Sequence, residues 1–187
     1  MKQTLIDYMR QQESNDEYFT PVNVVTVLQK HLVGLRKPST SIWEPCDPNG
    51  ESNISQVFSQ AGYRVISTGL PKHDFLQLTN PPKGVNCIIT NPPYSQKDDF
   101  LEKCFTFGLP FCLLLPITAL EGIRRGAMFN KWGVQVLVLN RRAQFIKGKS
   151  VYFNTSWFCW SPRIPLLKGD LVFAELPEAS DRRSAAA

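Results

Sequence analysis

Between Asn23 and Leu139 the apolar segments alternate between two periods, and this alternation limits the possible folds more than any other feature of the chain. Asn23 to Val33 has apolar residues at Val24, Val25, Val27, Leu28, Leu32 and Val33, a helical stripe begun by Pro21 and ended by Gly34. Ser41 to Pro45 reads as a short strand, followed by a polar turn from Cys46 to Gly50. An amphipathic helix from Ile54 to Ala61 ends at Gly62 and leads into a strand, Tyr63 to Ser67. Strand, turn, helix and strand within about thirty residues match the size of a parallel crossover.

The pattern continues. A strand at Cys87 to Thr90 precedes a helix at Asp98 to Phe105, and strands at Phe111 to Leu115 and Val134 to Leu139 flank a helix at Ala119 to Phe129. Thr155 to Trp160 and Leu171 to Ala174 also read as strands, but only a proline-rich connection, Ser161 to Gly169, separates them. Two strands without a helix between them suggest an antiparallel pair. The expected class is therefore α/β: a Rossmann-like, doubly wound, mostly parallel sheet with an antiparallel hairpin at one edge. Trp157, Phe158 and Trp160 belong to its core on this reading. With 187 residues, 43% of them hydrophobic, one cored domain is expected over residues 18–176, with a flexible segment 1–17 and a disordered tail 177–187.

The formal charge of +5 suits an anionic partner such as nucleic acid. Cys46, Cys87, Cys104, Cys112 and Cys159 form no CxxC pair, and only His31 and His73 accompany them. Buried free thiols in a reducing cytoplasm are expected, and no metal site. No apolar run approaches the length of a membrane span, so a soluble, cytoplasmic protein is expected.

Chemistry is expected where a loop follows a buried strand, and Asn91-Pro92-Pro93-Tyr94 stands directly after Cys87 to Thr90. The Asn91 side-chain carbonyl and the Pro92 backbone carbonyl can both accept from one exocyclic amine. Consecutive prolines stiffen that geometry, and Tyr94 offers a flat face for a base. Thr79-Asn80-Pro81-Pro82 repeats the first letters without the strand or the aromatic, and reads as a turn.

With that loop the chain resembles the S-adenosylmethionine-dependent DNA amino-methyltransferases, and looks most like the small phage-type adenine enzymes. The resemblance spans roughly residues 17–173 and implies Asn91, Pro92, Pro93 and Tyr94 as catalytic residues. Tyr18-Phe19-Thr20-Pro21 resembles the family's aromatic-Thr-Pro segment beside the cofactor. Trp43-Glu44-Pro45-Cys46 through Gly50 resembles its first cofactor loop. Asp74-Phe75 looks like the pair that meets the cofactor adenine, by carboxylate and by ring. Glu44 either meets the cofactor's methionine amino group or solvates a strand end. The implied reaction is transfer of a methyl group to the exocyclic amine of an adenine flipped out of duplex DNA. Cytosine-amine and RNA methylation stay open, and glutamine methylation, which can use the same loop, fits less well.

Two positions depart from the family pattern. Pro48 replaces the first glycine of the cofactor loop, and Gly69 stands where an acidic side chain ordinarily holds the ribose hydroxyls. These departures predict weakened or absent cofactor binding unless Asp47 or Asp74 compensates. In the alternative reading, the chain keeps the methyltransferase fold and binds DNA or a protein partner without methylating. Asp98 and Asp99 read as helix-start acids. Arg124 and Arg125, like Arg141, Arg142, Lys147 and Lys149, lie beside loops expected on the catalytic side. The last four are the expected nucleic-acid contacts, with solvated surface charge as the alternative.

Overall fold

The computed structural model describes residues 20–35, 39–145 and 154–178. Helix α1 (Val22–His31) is followed by strand β1 (Ser41–Glu44), helix α2 (Asn53–Gln60) and strand β2 (Arg64–Ser67). After an irregular segment come β3 (Cys87–Thr90), helix α3 (Lys97–Phe107) and β4 (Phe111–Pro116). Helix α4 (Ile123–Trp132), β5 (Gln135–Leu139), β6 (Thr155–Trp160) and β7 (Leu171–Ala174) complete the described elements.

The strands form one sheet in the order β2-β1-β3-β4-β6-β5-β7. Neighbours run parallel except at β6, which is antiparallel to both β4 and β5. From β1 the chain moves outward to β2, then returns to place β3 on the other side of β1. The carboxyl ends of β1 and β3 therefore border the point where strand order reverses, which is where an open α/β sheet has its ligand crevice.

Helices cover both faces, so the central strands are buried on both sides and read as unbroken apolar runs. In β3, Cys87 and Ile89 face a core shared with Val24, Leu28 and Phe58 of α1 and α2, while Ile88 faces one shared with Phe100, Leu101 and Phe105 of α3. Trp157 and Phe158 are fully buried on opposite faces of β6, and Trp160 is nearly so. Cys87, Cys104, Cys112 and Cys159 are buried free thiols, whereas Cys46, against expectation, is exposed.

The expected class stands, but the hairpin does not. β5 lies between β6 and β7, and β7 pairs parallel with β5. Gln135, at the start of β5, explains the route. Its Oε1 accepts the N–H groups of Leu166 (2.8 Å) and Leu167 (3.1 Å), while its Nε2 donates to the carbonyls of Leu167 (3.3 Å) and Gly169 (3.1 Å). This holds the 161–170 connection against the amino end of β5 and delivers the chain to that strand's far side. The expected helix over 119–129 is also divided: a 3₁₀ turn, Ile117–Leu120, ends at extended Glu121, and Gly122, with φ 117°, precedes α4.

Candidate functional site

β1 ends on a carboxyl group drawn inside the fold. Glu44 is 2% exposed, and its Oε1 accepts both the Thr90 hydroxyl (2.5 Å) and the Cys46 N–H (3.0 Å). Burial pushes the Glu44 carboxyl up to about 8; nearby Asp47 adds to that, and the two hydrogen bonds oppose it. The group is therefore mostly protonated at neutral pH. No described residue donates to its Oε2.

The loop after β1 is organised by Asp47, which is also buried. Its Oδ1 accepts the Glu51 N–H (2.9 Å), and its Oδ2 accepts the Ser52 N–H (3.1 Å) and the Ser55 hydroxyl (2.6 Å). Burial raises this carboxyl, but the bonds from Ser55, Ser52 and Glu51 outweigh burial and hold it below the ordinary value. Ser52 also caps α2 by accepting the Ser55 N–H at 3.1 Å. Backbone bonds join this loop to the end of β2: Thr68 N–H to the Glu44 carbonyl (3.0 Å) and Asp47 N–H to the Thr68 carbonyl (2.8 Å).

Asn91 and Pro92 leave β3 directly beyond Thr90, which ties the Asn91–Tyr94 loop to Glu44 through adjoining strands. Pro92 is buried, and Asn91, Pro93 and Tyr94 are half-buried. Tyr94 opens a 3₁₀ turn, Tyr94–Gln96, that runs into α3, and the Tyr94 carbonyl accepts from Lys97 Nζ at 3.1 Å. Its ring packs at the margin of the core on the α3 side. Asn80, the look-alike position, is exposed in an irregular segment, as a turn residue should be.

The other expected residues are divided. Thr20 is buried, and its carbonyl accepts from Asn53 Nδ2 (2.8 Å), which brings the Thr20-Pro21 segment to the start of α2, beside the Asp47 loop. Tyr18, Phe19, Lys147 and Lys149 lie outside the described residues. Asp74 is half-buried, with Oδ1 accepting the Leu76 N–H at 2.9 Å. Phe75, the ring of that pair, packs into the core on the α3 side. It is 3% exposed, stacked on Phe100 at 4.6 Å between centroids and lying 5.2 Å from Trp43, so packing takes up the ring. This packing fastens the segment between β2 and β3 to the core.

The basic pairs also separate. Arg125 donates to Asp98 (2.6 Å) and to the carbonyls of Ala119 (2.8 Å) and Glu121, and Arg124 bridges Asp99 (2.8 Å) and Glu102. These bonds join α4 to the first turns of α3, and they supply the partners of Asp98 and Asp99. Arg141 and Arg142 follow β5 at the sheet's carboxyl end and line a cavity of ≈ 310 Å³ with Asn23 and Gln144. Arg141 bridges exposed Glu178 at 3.3 Å, and Arg142 has no ion pair among the described residues.

Thr90, Ser52 and Ser55 were not anticipated as site residues. Thr90 carried a signal, as the polar end of an otherwise apolar strand. The serines became legible only once Asp47 turned inward. Among the described residues no group of His, Cys, Asp and Glu could hold a metal, and no helix is long and apolar enough to cross a membrane.

No protein-family model matches the chain, and no curated protein matches it. Solved structures do. A Listeria monocytogenes protein assigned as a class I S-adenosylmethionine-dependent methyltransferase superposes with a TM-score of 0.57 at 13% identity, covering 90% of this chain and 68% of that one. The 23S rRNA methyltransferase ErmE gives 0.49 at 12% identity, over 78% and 70% of the two chains. The release-factor-specific protein-(glutamine-N5) methyltransferase of Alicyclobacillus acidocaldarius gives 0.43 at 16%, over 75% and 93%. The likeness to the Listeria protein shows the architecture: this chain has the class I methyltransferase fold.

Proposed function

We propose that the chain is an S-adenosylmethionine-dependent methyltransferase acting on the exocyclic amine of adenine in DNA. One observation carries the reading: the Asn91–Tyr94 loop leaves β3 beside the buried carboxyl of Glu44, where strand order reverses. At this end of the sheet, groups suited to the cofactor are present for two of its three parts. Glu44, with Oε2 open, suits the amino group of the methionine end. Asp74, with one oxygen on its own backbone, keeps the other for the base amine. At the ribose, Gly69 offers no side chain.

When bound, S-adenosylmethionine supplies a sulfonium methyl group that an unprotonated amine can attack without a general base. The Asn91 and Pro92 carbonyls accept the two N–H groups of the adenine amine and stabilise the positive charge that develops on nitrogen. Pro92 and Pro93 limit the loop's freedom, and Tyr94 stacks on the flipped base, offsetting an unpairing cost of a few (~2–4) kcal/mol. The net charge of +5 and Arg142, which has no ion pair among the described residues, support a nucleic-acid substrate.

Transfer of labelled methyl to adenine-containing DNA tests the reading. Asn91→Ala should lower transfer by about a hundredfold or more with the circular dichroism spectrum unchanged, and Asn80→Ala should transfer normally. Wild-type transfer by the Asn91 variant would remove the role assigned to that residue. A second reading, a methyltransferase-fold protein that binds DNA or a protein without methylating, is favoured by the packing of Pro48 against Gly69. Calorimetry with S-adenosylmethionine separates the two readings, because the second predicts no heat of binding.

A further inference from the structure

The two positions that depart from the family pattern touch each other. A β-carbon at residue 69 would stand 2.7 Å from Pro48 Cδ and 2.8 Å from Pro48 N, inside the 3.0 Å that real β-carbons essentially never cross. Both atoms belong to a ring fused to the backbone, so neither can swing aside as a flexible side chain would. Gly69 is absent from the positive-φ glycines, so close approach alone requires glycine there. The contact is held from both sides by the backbone bonds among Glu44, Asp47 and Thr68.

Neither nearby acid replaces the missing side chain. Asp47 has both oxygens engaged by Glu51, Ser52 and Ser55 and is buried. Ser67, at the end of β2, shares its hydroxyl with Ser55 at 2.9 Å. Asp74 lies beyond a turn closed by a bond from the His73 N–H to the Gly69 carbonyl at 2.9 Å, and its Oδ1 is directed to its own backbone at Leu76.

We infer that the described residues hold no subsite for ribose hydroxyls: Pro48 fills the space beside Gly69, and these residues recognise a nucleoside ligand at its amino-acid and base ends only. The inference rests on reading the cleft as an S-adenosylmethionine site. A carboxylate on a hydroxyl pair ordinarily adds roughly ten- to a hundredfold in affinity, and that discrimination is missing here.

The test is calorimetry of the full chain with S-adenosylhomocysteine and with an analogue lacking both ribose hydroxyls. The two should bind within about threefold of each other. A loss of about tenfold or more on removing the hydroxyls would overturn the inference while leaving the cofactor reading intact. Binding of neither ligand would overturn both. The double variant Pro48→Gly/Gly69→Asp should bind S-adenosylhomocysteine about tenfold tighter, with no gain for the analogue. Equal gains for both ligands, or none in a folded double variant, would show that Pro48 does not close a ribose subsite. If that variant does not fold, the comparison on the unmodified chain decides.

Discussion

Thr90 donates its hydroxyl to Glu44 Oε1 across 2.5 Å, joining the carboxyl ends of β3 and β1 at the point where the strand order reverses. The bond lowers the cost of an interior carboxyl without removing it, and Glu44 titrates near 8 in the fold against 4.5 for the unperturbed group. Between those values the folded state binds more protons than the unfolded state. Glu44 therefore contributes its full stability below about pH 4.5, and that contribution is lost as pH rises through 8. Urea unfolding at pH 5 and pH 8.5 should differ by about 2–4 kcal/mol from this group, and Glu44→Gln should abolish that part of the difference. Binding of S-adenosylhomocysteine through its ammonium should ionise Glu44 and release roughly one proton at pH 7, seen by calorimetry in buffers of different ionisation enthalpy.

Pro48 and Gly69 should be energetically coupled. Gly69→Ala places a methyl group against the proline ring and should cost about 1–3 kcal/mol in the wild-type background. In a Pro48→Gly background the same substitution should cost less, with a coupling of roughly 1 kcal/mol or more in a double-mutant cycle. Additive effects would mean that the loop moves away freely.

Gln135 holds the connection that takes the chain from β6 past β5 to β7. Gln135→Leu leaves the Leu166 and Leu167 N–H groups without their acceptor, at a cost of about 2–4 kcal/mol. The urea midpoint should fall with an unchanged slope, and affinity for S-adenosylhomocysteine should be unchanged in the folded protein.

Two neighbouring types of arginine should behave oppositely. Arg142→Ala should weaken DNA binding across all sequences and reduce the salt slope by about one. Arg125→Ala breaks its bonds to Asp98 and the Ala119 carbonyl, so it should lower the thermal midpoint and leave the salt slope alone.

Strand and helix positions could be read from the sequence because burial imposes a period on each element. Cys87–Thr90 is found where it was expected, and most other elements differ by one or two residues at their ends. The place of the Asn91–Tyr94 loop was legible for the same reason, since a buried strand immediately precedes Asn91. Pairing partners were less accessible. The short link between β6 and β7 suggested a hairpin, and nothing local to either strand reveals that Gln135 carries the link past β5. Phe75 shows the same limit: nothing beside it in the sequence reveals that the rings of Phe100 and Trp43, distant along the chain, pack against it.

The sequence by itself determined the class of fold and the position of Asn91, Pro92, Pro93 and Tyr94, because both follow from short-range patterns of apolar and conformationally restricted residues. Tertiary structure decided that Glu44 is buried with its carboxyl pushed up to about 8, that Arg125 is a brace while Arg142 has no ion pair among the described residues, and that Pro48 and Gly69 are one feature. Each of those outcomes depends on groups brought together from separate segments, where a few tenths of an ångström decide whether a side chain fits and desolvation decides whether it carries charge.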